Sequence, residues 1–378
     1  MEPFITDEHR AFRRSVHDFV ENEILPHAAE WDEAGTFPRD LYLKAGKLGY
    51  WSNGVDEEYG GLGYTDPFLI TILAEEMSRI GAGGIPAGLG SNAIALPPIA
   101  AAGSDELKAE LLPRLVSGEA IGALAVTEPG GGSDVASITT GAMRDGDSYV
   151  VNGEKTYITS GSRADYLTTA VRTGGEGASG ISVLVIPADL PGITRTPLEK
   201  MGWWASDTAS ISFTDVRVPA HYLVGAENMG FLILMANFNF ERLMLIAGMN
   251  GASRVLYEDA LDWACSRHTF GRPLSSRQVI RHKLVEMDRQ INAAKAVQDV
   301  LAWRLSQGDS PVAELAEAKV TASLTMEFCA REAAQILGGA SFIRGNRVER
   351  IYREVRVNAI GGGSEEIMRD LAARQLGI

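Results

Sequence analysis

Apolar residues recur every three to four positions from Thr6 to about Glu119. The spacing is clearest over Glu8–Trp31, where Phe12, Val16, Phe19, Val20 and Ile24 fall on one stripe, as in a helix with one buried face. Gly-rich breaks at Tyr59–Gly63 and Gly81–Gly84 separate further helical patterns. From about Ala120 to Asn228 the period shortens to two. Asn152-Gly153 stands between two β-rich runs, and Asn-Gly supplies the positive φ angles of a type I′ turn, so a hairpin is predicted there. Ile181–Ile186 and Ala209–Phe213 predict further strands, with Pro187, Pro191, Pro197 and Pro219 punctuating the loops. After Gly230 the helical period returns, broken near His268–Ser276, Gly308–Pro311, Gly338–Gly345 and Gly361–Ser364. Four long helices are the simplest count, hence an antiparallel bundle. Helices, then strands, then helices predict an α+β fold with segregated layers. The expected units are an N-terminal helical domain over 1–119, a middle antiparallel β domain over 120–228 and a C-terminal four-helix bundle over 229–378.

A chain of 378 residues is too long for one ordinary core, which agrees with that division. Its net charge of −14 argues against general nucleic-acid binding. A polyanionic ligand would have to be held by local arginines, backbone amides or helix N-termini. No uninterrupted apolar run reaches the roughly 18 residues of a membrane span. Met1–Arg14 mixes charges of both signs without an apolar stretch, so no membrane insertion and a cytoplasmic location are expected. Cys265 and Cys329 lie far apart without metal-ligand spacing. Both are expected to pack as small hydrophobes, and no metal site is expected.

Generic nucleotide signatures are absent: there is no G-x-x-x-x-G-K-[ST], and no G-x-G-x-x-G joins a strand to a helix. The informative stretch is Val126-Thr-Glu-Pro-Gly-Gly-Gly-Ser-Asp134. Three glycines followed by Ser133 let a backbone approach a ligand closely, although a plain Gly-rich strand connection reads the same way. Tyr157-Ile-Thr-Ser160 puts an aromatic near a hydroxyl, a pair suited to a flat heterocycle. Glu241 shares a helical face with Leu234, Phe238, Leu245 and Ala252, and Gly248 leaves space two turns on. A carboxylate on an apolar stripe suits a general base, and equally a buried glutamate paired with an arginine. Arg242 reads as a substrate-side cation or as the partner of an internal acid. His268 reads as a solvated loop histidine.

Taken together, five segments resemble the acyl-CoA dehydrogenase family over nearly the whole chain. They are Val126–Asp134, Asn152-Gly-Glu-Lys-Thr-Tyr-Ile-Thr-Ser-Gly161, Arg267-His-Thr-Phe-Gly271, Gln335-Ile-Leu-Gly-Gly339 and Gly361-Gly-Gly-Ser-Glu-Glu-Ile-Met368. The family fold has the same order of units. The resemblance implies FAD as cofactor, with Val126, Thr127, Gly132 and Ser133 bonding the flavin and its surroundings. Tyr157 would stack on the ring system and Thr159 would donate towards N5. Arg267, Phe270, Gln278, Gln335, Gly338 and Gly339 resemble segments that reach the FAD of a neighbouring subunit, which implies a homo-oligomer, a dimer of dimers. Ser364 and Glu366 match positions that contact the adenine half.

Glu241-Arg242-Leu243 resembles the base position of the isovaleryl-CoA and long-chain branches. The implied reaction converts an acyl-CoA to the trans-2-enoyl-CoA. Glu241 would take the α-proton while hydride leaves the β carbon, and Glu241's own backbone amide would help to hold the enolate oxygen. Ser133, Asn239, Arg242 and Gly363 would meet the substrate, and an electron-transfer flavoprotein would accept the electrons. Other branches carry the base on the C-terminal loop, where this chain has Gly362. With Gly361, that departure predicts room for branched or bulky groups near the β and γ carbons. Glu365 and Glu366 are expected in the first turn of the last helix, where negative charge suits the dipole. An acyl-thioester oxidase, a flavin monooxygenase, a dehydrogenase acting on a carrier-protein thioester and a non-catalytic thioester-binding protein remain alternatives.

Overall fold

The computed structural model describes residues 4–378. The N-terminal helices are α1 (Asp7–Phe19), α2 (Ala28–Ala34), α3 (Asp40–Lys47), α4 (Pro67–Ser78), α5 (Gly84–Ala102) and α6 (Asp105–Val116). Local chemistry starts them: Thr6 and His9 form a reciprocal cap on α1, and Asp66 followed by Pro67 opens α4. The stripe over Glu8–Trp31 is continuous but not one α-helix, because a wider π turn at Val20–Ile24 and a 3₁₀ turn at Leu25–His27 join α1 to α2.

The middle sheet contains β1 (Gly122–Ala125), β2 (Gly141–Asp145), β3 (Ser148–Thr159), β4 (Tyr166–Arg172), β5 (Ile181–Pro187), β6 (Ile193–Pro197), β7 (Thr208–Pro219) and β8 (Leu223–Val224). Its order is β6-β7-β3-β2-β4-β5-β8, with β1 on β4. Pairing is antiparallel except at β4, which runs parallel to β1 and to the start of β2.

The hairpin predicted at Asn152-Gly153 is not there. β3 runs straight through both residues, and the turn between β2 and β3 is at Gly146-Asp147, with Gly146 at φ +60°. Asn152-Gly153 instead makes a register shift against β7. The Asn152 side chain accepts from the Asp215 amide at 2.9 Å, and a Cβ on Gly153 would sit 2.6 Å from Thr140 Cα. The same backbone latitude that closes a turn here seats a bulge.

The C-terminal region has three long helices, α7 (Gly230–Ser266), α8 (Gln278–Ser306) and α9 (Val312–Leu337), and two short ones, α10 (Arg347–Asn358) and α11 (Glu365–Leu376). A small hairpin, β9 (His268–Thr269) with β10 (Arg272–Pro273), lies between α7 and α8. Two short helices therefore replace the fourth long one. Gly362 and Gly363, at φ +66° and +104°, break the helix in two. Ser364 then caps α11, with Glu365 and Glu366 in its first turn as expected.

By length and composition α5 and α7 are both able to cross a membrane, although Gly, Ser, Asn and Pro interrupt the apolar run of α5 and Asn237, Asn239 and Glu241-Arg242 that of α7. Here α5 packs against α6, α7 and β1, and α7 against α4, α8 and α9. Cys329 is buried as expected, whereas Cys265 is exposed.

Candidate active site

The long helix α7 presents Ile233, Asn237, Glu241, Leu245, Gly248 and Ala252 along one side of a cavity of about 850 Å³. The opposite walls come from α4 and α5. Thr159 and Trp203 close the side towards the sheet, and Glu354, Asn358, Gly361 and Gly362 close the C-terminal side. Leu245, Gly248 and Ala252 thus share Glu241's face as the helical period predicts. Leu234 and Phe238 do not line the cavity: Leu234 is fully buried in the core shared with the sheet, and Phe238 lies under the Arg242 guanidinium at 5.8 Å.

Glu241 is half-buried at the cavity wall, and its carboxylate is isolated. Its Oε2 is sealed from solvent and has no hydrogen-bond partner. Burial pushes the carboxyl up to about 7, against the opposing pull of the adjacent Arg242 charge. The backbone amide of Glu241 is deep within α7, where the helical ladder uses it. It is therefore unavailable to an enolate oxygen, contrary to the sequence expectation.

Gly362 approaches Glu241 from the other side: a Cβ built on it would lie 3.9 Å from Glu241 Oε1 and would overlap Leu245 Cδ1. Leu245 thus occupies the space expected to open beside the glycines. The loop is fixed from behind. Lys319, fully buried on α9, donates to the Gly363 carbonyl at 2.7 Å, and Ser323 donates to Glu365 at 2.7 Å. Gly363 is in this loop behind the cavity wall.

Arg242 is buried and faces away from the cavity, donating to Asn239 Oδ1 at 3.3 Å. Asn239 in turn donates to Ser310 at 3.5 Å. Asn237, one turn before Glu241, is the other polar residue of α7 that lines the cavity, and its amide donates to the Ile94 carbonyl.

The second predicted cluster is assembled on the sheet. The Thr156 amide donates to the Thr127 carbonyl at 2.9 Å, bringing Val126–Ser133 beside Tyr157–Thr159. Gly130 and Gly131 have open space where a Cβ would stand, Gly132 rests over the Thr127 methyl, and Ser133 is exposed. Tyr157 is 71% exposed at φ +58°. The sequence motifs contain the anchor of this loop, but its role was not legible there. Lys155, fully buried, makes a 2.8 Å ion pair with Glu128 and donates to the Val126 carbonyl at 3.0 Å. Glu128 also accepts from the Thr139 and Thr140 amides. Burial alone would raise its carboxyl, but the Lys155 and Thr140 bonds prevail and hold it at about 2. A lysine at an inward position of an alternating strand was the available signal.

The remaining predicted residues lie on the helical bundle with exposed side chains. Arg267 sits at the end of α7, 6.0 Å over Trp263, and Phe270 is 96% exposed at φ +51° in the β9–β10 hairpin. Gln278 opens α8, Gln335 lies in the last turn of α9, and Gly338 and Gly339 follow it without neighbours where a Cβ would stand. His268 is exposed, as expected.

Three family models cover the chain in the order of these units. They are Acyl-CoA dehydrogenase, N-terminal domain over 6–119, middle domain over 123–216 and C-terminal domain over 228–377. The chain belongs to the acyl-CoA dehydrogenase family. It is 35% identical to the long-chain specific acyl-CoA dehydrogenase, mitochondrial, of Sus scrofa, over 98% of this chain and 87% of that protein. The acyl-CoA dehydrogenase from Geobacillus kaustophilus superposes with a TM-score of 0.96 at 36% identity, covering all of both chains. A glutaryl-CoA dehydrogenase from Mycobacterium smegmatis, solved in complex with FADH2, superposes with a TM-score of 0.91 at 28% identity, covering 99% of this chain and 95% of that one.

As an acyl-CoA dehydrogenase, the protein is an oxidoreductase whose cofactor is FAD. The residues present fit that group. Tyr157 offers an exposed aromatic face at a backbone conformation rare for its type, Thr159 is at the cavity edge, and the open glycines leave the 126–133 amides approachable.

Proposed function

We propose that this chain dehydrogenates an acyl-CoA thioester between its α and β carbons, with Glu241 as the catalytic base. The observation that carries the reading is the Glu241 carboxylate itself: half-buried at the cavity wall, with Oε2 sealed from solvent and without a partner, and shifted to about 7. A carboxylate sealed from water without a hydrogen-bond partner is costly, and the Arg242 charge offsets that cost only in part, so the position serves chemistry better than stability. Oε2 accepts the α-proton. The amide of Gly362, in the loop of the cavity wall rather than inside a helix, is the candidate donor to the developing enolate oxygen. The apolar residues around it, Leu245 among them, exclude water and keep the carboxylate basic.

FAD, when bound, supplies the two-electron oxidising chemistry for the hydride leaving the β carbon. Val126, Thr127, Gly132, Ser133, Tyr157 and Thr159 hold its flavin half, and Ser364 and Glu366 meet its adenine half. Arg267, Phe270, Gln278, Gln335, Gly338 and Gly339 reach the same group from a second copy of the chain, which makes the active species a homo-oligomer. Ser133 also contacts the substrate. Arg242 and Asn239, directed away from the cavity, position α7 rather than touch the acyl group. An electron-transfer flavoprotein is the electron acceptor. The test is an anaerobic titration of the purified protein with acyl-CoAs of graded length and branching. Bleaching of the flavin by at least one of them is expected, and a fully loaded protein that none of them bleaches would overturn the reading.

A further inference from the structure

The cavity is far longer than the reacting carbons need. On α7 its lining runs from Ile233 to Ala252, with Glu241 between them. At 1.5 Å per residue the helix advances about 12 Å from Ile233 to Glu241 and about 16 Å from Glu241 to Ala252. The first stretch leads towards exposed Ala101 and so towards solvent. The second passes buried Met77 and Met249 towards the start of α4. Its axis is set by α4, which packs along α7: Ser78 donates to the Gly248 carbonyl at 2.8 Å, and Gly251 fits against the Glu75 backbone.

One residue decides whether this second stretch is usable. Gly248 lines it two turns beyond Glu241, and a Cβ there would meet only Ser78 Oγ, at 3.8 Å. A side chain at this position would therefore project into the cavity without displacing backbone. A helix interior tolerates glycine at a cost and offers no turn that would require it at this point, so the gain is the space.

We propose that Gly248 is the specificity-determining residue of the acyl pocket and that the substrates are long, extended acyl chains, on the order of 12–14 carbons or more. The inference rests on the catalytic reading of Glu241 above. An extended chain of single bonds advances about 1.2 Å per bond, so the roughly 16 Å between Glu241 and Ala252 takes about a dozen carbons beyond the one losing its proton. The cavity of about 850 Å³ is near the upper end of the roughly 300–1,000 Å³ of ligand pockets. Leu245 fills the space beside Gly362, so length along α7, rather than branching near the thioester, is what this pocket accommodates.

The experiment measures kcat/KM of the FAD-loaded protein for saturated straight acyl-CoAs from 4 to 18 carbons, alongside Gly248→Ala and Gly248→Leu. Wild type should prefer chains of about 12 carbons or longer to those of 4–6. The ratio of long-chain to short-chain kcat/KM should fall at least roughly tenfold in Gly248→Leu and by less in Gly248→Ala, with FAD content equal in all three. A wild-type optimum at 6 carbons or fewer, or a Gly248→Leu effect equal at every length, would overturn the inference while leaving Glu241's role standing. Absence of turnover with every chain would instead remove the catalytic reading on which it rests.

Discussion

Replacing Glu241 by glutamine separates two consequences of one carboxylate. In the folded protein burial pushes the group from its ordinary 4.5 up to about 7. At about 1.4 kcal/mol per pK unit, the charged form costs the fold about 3 kcal/mol. The sign follows from which state holds the proton. Below pH 4.5 both folded and unfolded chains are protonated, and there is no cost. Between 4.5 and about 7 only the folded state keeps its proton, so the cost grows with pH and is complete above about 7. Glutamine does not titrate. Measured by urea unfolding, the stability of Glu241→Gln relative to wild type should therefore improve by up to about 3 kcal/mol between pH 4.5 and pH 8. Catalysis should move the opposite way. Above pH 7 the rate of flavin bleaching by an acyl-CoA should fall by roughly two to four orders of magnitude in the variant. Wild-type kcat/KM should decline about tenfold per pH unit below about 7, as the base becomes protonated. FAD content should match wild type. A variant that keeps more than about a tenth of the wild-type rate, or that gains no stability on going to pH 8, would refute the assignment.

The protein should purify yellow with one FAD per chain, and a colourless preparation that cannot be reconstituted would contradict the reading of the 126–133 loop and Tyr157. Light scattering should give an oligomer, and a monomer at full FAD occupancy would show that Arg267, Phe270 and the Gln335–Gly339 segment do not complete a neighbour's site. Lys155→Met leaves Glu128 buried without its cation and should destabilise by about 3–5 kcal/mol in urea unfolding, whereas adding Glu128→Gln should recover part of that loss. Moving the base, as Glu241→Gly with Gly362→Glu, should restore no activity, because the new side chain meets Leu245 at a positive φ; restoration would mean that Leu245 yields easily.

Layer order was legible because the hydrophobic period changes twice, near Ala120 and near Gly230, and each change reflects which face of an element is buried. Turn position was less legible. Asn152-Gly153 carries the local chemistry of a type I′ turn, but pairing of β3 with β7 along its whole length outweighs that preference and converts it to a bulge. The turn that does form, Gly146-Asp147, carries a two-residue hairpin signal of its own, which the Asn-Gly pair nearby overshadows. The breaks at Gly338–Gly345 and Gly361–Ser364 leave room only for short helices between and after them, which the simplest count of four long helices passes over.

The site shows a similar division between what a helical wheel contains and what packing adds. Angular spacing placed Leu245, Gly248 and Ala252 on Glu241's face, and they line the cavity with it. It placed Leu234 and Phe238 there too, but one end of α7 packs onto the sheet and Arg242 draws Phe238 beneath it, so the working face is rotated towards Asn237. A wheel carries no information on what stands opposite. The consequence reaches the chemistry. From sequence, the loop glycines and the helix glutamate looked like two vacancies and one replacement. In the structure Leu245 fills the place beside Gly362, while Glu241 reaches the same point from α7. On the proposed reading the base stands on α7 rather than on the loop, and Leu245 keeps the wall beside Gly362 apolar. That pairing makes substitutions at 241, 245 and 362 interdependent, so their effects on activity should not add.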